Sequence, residues 1–172
     1  MATFAMSEAL TIILKRNDPS TVAKQVSLTE LGSIKINKEE RGKMLKAIPR
    51  NSVIGFLIGV LPGAGATIAS FLAYGMERNF VSDEEKEKFG KGSVHGLTAP
   101  ETANNAACSG AFVPLLTLGI PGSGTTAVML GALLGFGIQP GPRLYITNPE
   151  IFWSVIMSMY IGMVVLLILN LP

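Results

Sequence analysis

A run of 41 residues without a single charge, Thr102 to Pro142, sets the first limit on what this chain can fold into. At about 1.5 Å per helical residue it is long enough to cross a bilayer core of about 30 Å twice. Yet "LGIPGSGTTAVML", residues 118 to 130, places three glycines and a proline near its middle. Proline lacks a backbone donor and glycine admits non-helical dihedrals, so a helix is expected to break there. "LPGAGATIASF", residues 61 to 71, carries nearly the same break 59 positions earlier, Pro62 against Pro121.

Two further uncharged stretches, Val53 to Tyr74 and Ile151 to Leu171, reach the ~20 residues that a crossing needs. The chain is 48% hydrophobic and 15% charged, with a mean hydropathy of +0.44, whereas a soluble domain is usually ~25% charged. The expected fold is therefore an all-α integral membrane protein. Its polytopic helices would include two Gly/Pro-broken segments that are candidates for an inverted repeat. Residues 1–14 are expected to be the end of a truncated membrane helix, 15–50 a basic cytoplasmic loop, and 51–172 a transmembrane region with a polar loop at 76–96.

Residues 15 to 50 hold nine Lys and Arg against Asp18, Glu30, Glu39 and Glu40, which places them in the cytoplasm by the positive-inside rule. If Val53 to Tyr74 crosses fully, the 76–96 loop is external; if "LPGAG" turns the chain back, both loops share a side. Charge counting favours full crossing. No basic n-region precedes an apolar core at the N-terminus, so no cleavable signal peptide is expected.

Several function classes fall away. A net charge of +2 without a basic, aromatic-interleaved stripe does not suit nucleic acid. Cys108 and His95 are each the only residue of their kind, so no metal site is expected. Gly122-Ser123-Gly124-Thr125-Thr126-Ala127 fits a relaxed dinucleotide pattern, but no acid follows until Glu150, and neither break carries a P-loop lysine.

The two breaks themselves, Pro62-Gly63-Ala64-Gly65-Ala66-Thr67 and Pro121-Gly122-Ser123-Gly124-Thr125-Thr126, carry the functional expectation. Unwound backbone at membrane depth is tolerated only where protein or a water-filled cavity satisfies it. Paired breaks of this kind mark transporter sites, where half-helix N-termini meet anionic groups. Gly63, Gly65, Gly122 and Gly124 would supply backbone donors, and Thr67, Ser123, Thr125 and Thr126 hydroxyls. The competing reading is close helix packing through small residues.

Between the breaks lies "HGLTAPETANNAACSGAFVP", residues 95 to 114. Thr98-Ala99-Pro100-Glu101 fits a capping box, predicting a helix that starts at Thr98. Glu101, Asn104 and Asn105 then fall on one helix face. Glu101 reads either as a cap or as the carboxylate of a coupling-cation site, with Asn104 and Asn105 as substrate amides or as interhelical hydrogen-bonding groups.

"GVLPGAGATIASFLAYGMER", "FGKGSVHGLTAPETANNAACSGAFVPLLTLGIPGSGTTAVMLGALL" and "GIQPGPRLY" occur in one order across nearly the whole chain. Together they resemble the large membrane subunit of the tripartite tricarboxylate transporters, the TctA type. The resemblance is to an internal portion of that longer subunit. One departure is visible, since the family pattern carries a glutamate where His95 stands. The resemblance implies secondary import of a citrate-like carboxylate across the bacterial inner membrane, driven by Na+ or H+, without a bound cofactor or enzymatic activity. It also implies two partners, a small membrane subunit and a periplasmic solute-binding protein. The contrasting possibility is a scaffold membrane protein with no transport of its own.

Overall fold

The computed structural model describes residues 36–170, together with Met6 and Leu10. Apart from Met6 and Leu10, both helical and exposed, the 1–14 segment and the 15–35 part of the basic loop lie outside the described residues.

Eight helices follow one another from Asn37 onward. The first, α1 (Lys38–Val60), is opened by the Glu40 side chain, which accepts the Asn37 backbone N–H at 2.8 Å. Its first half is charged and its second half apolar, so the boundary expected between residues 50 and 51 falls inside one continuous helix. It ends where Leu61 turns extended, and α2 (Gly65–Phe80) begins four residues later. Across this break the chain reverses direction. Arg50 on α1 pairs with Glu77 on α2, and Lys43 reaches Glu85 on the short α3 (Asp83–Lys86) at 3.1 Å. Val53 to Tyr74 is thus a hairpin, not one continuous helix, because Gly63 and the leading residue of α2, Gly65, adopt positive φ (81° and 66°) that a helix interior does not accommodate.

The fourth helix, α4 (Val94–Gly110), starts earlier than the sequence suggests. Ser93 is its N-cap, its hydroxyl accepting the Gly96 N–H at 3.1 Å. Thr98 and Glu101 therefore lie inside the helix, and the expected capping box does not form. Pro100 falls within the helix as well.

The core is a seam of small residues. Gly55 and Gly59 on α1 face Ala103 and Ala107 on α4 so closely that a β-carbon on either glycine would lie 2.5 Å or 2.6 Å from the opposing alanine Cα. Both pairings advance together, so α1 and α4 run parallel, with α2 antiparallel against them through Ala69 and Ala73. Alanine and glycine bury little apolar area. What they provide is backbone proximity, the packing mode of helices that gain nothing from hiding apolar surface in lipid.

The 41-residue apolar run does not form two long helices. It is divided among the end of α4, α5 (Phe112–Leu118) and α6 (Gly124–Gly135). Gly119 ends α5 in the left-handed conformation at φ 71°, where a β-carbon would also lie 2.7 Å from the Pro140 carbonyl oxygen. At 12 residues, α6 is about 18 Å long and too short to cross a bilayer core.

Beyond α7 (Leu144–Thr147), α8 (Pro149–Asn170) contains the one described stretch long and apolar enough to span a membrane, Pro149–Leu169, with a mean hydropathy of 2.4. None of it is buried within the protein. Tyr145, Phe152 and Trp153 form an edge-to-face chain at its start, the level at which aromatic rings favour a membrane interface.

Candidate functional site

The two Gly/Pro breaks touch each other. Gly63 donates its backbone N–H to the Gly122 carbonyl oxygen at 3.2 Å, and buried Gly122 lies against Ala111 and Gly59. Each break thus satisfies part of the other's freed backbone, as non-helical chain in a low-dielectric setting requires.

Matching sequence does not give matching backbone. The first break uses two left-handed glycines, whereas Gly122 and Gly124 keep ordinary φ. Ser123 is instead extended (φ −154°, ψ 169°) and caps α6. Its hydroxyl accepts the Thr126 N–H at 3.2 Å, and the Thr126 hydroxyl accepts the Ser123 N–H at 2.8 Å. Thr126 is buried and its hydroxyl also donates to the Ser123 carbonyl, so both side chains are engaged in holding the helix start. Gly124 and Thr125, by contrast, are exposed at the first turn of α6.

The start of α2 has no side-chain cap. Four N–H groups at a helix start lack intrahelical partners, and the helix dipole favours negative charge there. Thr67 lies in that first turn and lines a cavity of about 360 Å³ with Ser70, Phe71, Tyr74, Pro100 and Asn104. Of the two expected amides, only Asn104 lines the cavity, where its Oδ1 accepts a weak Cys108 thiol contact at 3.9 Å. Asn105 turns its Nδ2 back to the Glu101 carbonyl at 2.8 Å. Glu101 is exposed, one turn before Asn104 on the same helix face.

Sequence reasoning missed Ser70, whose hydroxyl donates to the Ala66 carbonyl at 3.0 Å and approaches the Pro100 carbonyl at 3.2 Å, joining α2 to α4 beside the cavity. It also treated Arg50 and Glu77 as loop charges. Glu77 is in fact completely buried, as is Asn51, and its carboxylate gathers hydrogen-bond partners from two other helices, α1 and α4. Arg50 Nε reaches Oε2 at 3.0 Å and Arg50 Nη2 reaches Oε1 at 2.5 Å. Asn51 Nδ2 donates to Oε2 at 2.8 Å, and His95 Nδ1 lies 2.7 Å from Oε1. The Arg50 guanidinium also stacks 4.6 Å over the Phe80 ring. A signal was available, because Ala69, Ala73 and Glu77 recur every four residues and so share the buried stripe of α2.

All 172 residues match the tripartite tricarboxylate transporter TctA family. The chain belongs to that family. TctA proteins are membrane transporters and not enzymes, which sets this chain's location at a membrane. Among curated proteins, the chain is 40% identical over 157 residues, 91% of its length, to an "Uncharacterized 52.8 kDa protein in TAR-I ttuC' 3'region" of Agrobacterium vitis, of which it covers 31%. It is 48% identical over 118 residues, 69% of its length, to an "Uncharacterized protein in TAR-II ttuC' 3'region" of the same organism, of which it covers 48%. The chain thus spans 31% and 48% of the length of these two relatives. No solved structure matches it.

Proposed function

We propose that this chain is part of the membrane component of a secondary transporter that imports citrate-like carboxylates on a Na+ or H+ gradient. A small membrane subunit and a periplasmic solute-binding protein complete the system in the bacterial inner membrane. The observation that carries this reading is the contact between Gly63 and Gly122, which brings two helix breaks together next to the cavity lined by Thr67, Ser70 and Asn104.

A carboxylate in that cavity meets the uncapped N-terminal amides of α2, from Gly65 to Thr67, together with the Thr67 hydroxyl and the Asn104 amide. Substrate carboxylates extending toward the second break meet the exposed first turn of α6 at Gly124 and Thr125. Ser123 and Thr126 serve by fixing that turn. Glu101, exposed on the Asn104 face, is the coupling-cation carboxylate.

Uptake of radiolabelled citrate by cells carrying the complete three-component system tests this directly. Thr67→Val and Asn104→Ala should each reduce uptake at least tenfold at unchanged membrane abundance, and Glu101→Gln should abolish its ion dependence. Normal uptake in all three variants would leave the scaffold alternative standing.

A further inference from the structure

The buried cluster at the far end of the hairpin from the breaks has no part in the substrate site above. Its hydrogen bonds fix a proton's place. Glu77 is held by both a guanidinium nitrogen pair and the Asn51 amide, so it is an ionised, acceptor-only carboxylate. His95 Nδ1, 2.7 Å from Oε1, must then carry the hydrogen it donates. The lone pair of the neutral ring is consequently on Nε2, and no described residue bonds that atom.

The ring contacts the Glu77 carboxylate of α2, and that carboxylate is paired in turn with Arg50 of α1. On α4 itself the next titratable side chain, Glu101, is six residues away and exposed. His95 is 8% exposed and in contact with a carboxylate whose charge Arg50 already balances. Imidazole is the side chain that changes charge between pH 5 and 8.

We propose that His95 is a proton-binding site, taking a proton from water on Nε2, and that its charge state sets how firmly α4 is held to α1 and α2. The proton adds to a lone pair and displaces nothing. The Nδ1–H to Glu77 bond becomes charge-assisted on both sides, so α4 is held more tightly in the protonated form. Only what the ring's charge state does to substrate uptake rests on the transport reading.

The test is a nitrogen-15 NMR titration of the histidine-labelled full-length protein in nanodiscs, with the His95 signals assigned by their loss in His95→Gln. As the pH falls from 8 to 5, the Nε2 signal should move from the lone-pair to the protonated position while Nδ1 stays protonated throughout. An Nε2 that never protonates in this range, or an Nδ1 without hydrogen at pH 8, overturns the proposal. Hydrogen exchange gives the second measurement. Amides of residues 97–103, corrected for intrinsic rates, should gain about tenfold protection from pH 8 to 5.5 in the wild type and none in His95→Gln; equal gain in both also overturns it. Citrate uptake is read separately. Its absence in the intact system would defeat the transport reading, while the ring titration would still decide whether His95 binds the proton.

Discussion

Gly63 and Gly122, 59 positions apart in sequence, are joined by a backbone hydrogen bond of 3.2 Å that seats one helix break on the other. The bond has no side chain to lose, so it responds to anything that displaces either backbone.

Gly122 and Gly124 should therefore separate folding from function. A β-carbon at Gly122 would meet the Ala111 Cβ at 3.1 Å and the Gly59 carbonyl oxygen at 3.3 Å, whereas one at Gly124 meets nothing within 4 Å. Gly122→Val is expected to lower both the folded fraction in detergent and citrate uptake. Gly124→Val should keep normal folded yield while reducing uptake, because its isopropyl group stands where a substrate would approach α6. Size-exclusion profiles beside transport rates check this.

The Ser123 and Thr126 hydroxyls should act on stability. Thr126→Val removes one half of a reciprocal cap and is expected to cost about 1 kcal/mol. Thr125→Val, at an exposed position of the same turn, should leave the thermal midpoint unchanged and reduce uptake. Midpoints measured in one detergent decide between them.

The hairpin places the 36–50 segment and the 81–92 loop at one end, as the Lys43–Glu85 and Arg50–Glu77 pairs require. Cysteines introduced at Lys38 and at Lys91 in a Cys108→Ser background should therefore react with an impermeant maleimide from the same side of the membrane, the cytoplasmic side. Labelling from opposite sides would restore the full-crossing topology.

Glu85 ties the loop to α1, and its carboxyl is held below the ordinary 4.5 by hydrogen bonds from Lys88 first and Lys43 second. A depressed folded value adds stability that is present above the unfolded value and lost as pH falls through the folded one. Glu85→Gln should thus cost less than about 1 kcal/mol at pH 7, as such solvent-facing pairs do. At a pH below the folded value, wild type and variant should unfold at the same temperature.

The sequence disclosed the breaks because proline and glycine act locally, and it disclosed the family because long motifs kept their order. It misplaced the start of α4. Thr98-x-x-Glu101 satisfies a capping pattern, but Ser93 caps the helix and the Glu77–His95 bond anchors its first turn, and that bond connects residues 18 apart. Charge counting favours a full crossing over the hairpin that forms, since a count of lysines does not register that Arg50 meets Glu77. The cavity was half legible: Thr67 and Asn104 stood out as polar groups among apolar ones, while Ser70 and Tyr74 looked like ordinary members of an apolar helix.

The seam between α1 and α4 repeats along its length. Its buried residues recur every fourth position, Ala47, Asn51, Gly55 and Gly59 on one helix and His95, Ala99, Ala103 and Ala107 on the other. Sliding one helix past the other by a single turn, about 5.4 Å, would bring glycine opposite alanine again, at Gly59 and Ala103 and at Gly55 and Ala99 together. Steric fit along the middle of such a seam hardly distinguishes these alignments. What distinguishes them is the polar end, where Arg50 and Asn51 reach Glu77 from one helix and His95 reaches it from the other. Glu77 therefore works as a vernier mark on an otherwise repeating scale, fixing which of several equivalent alignments the two helices adopt.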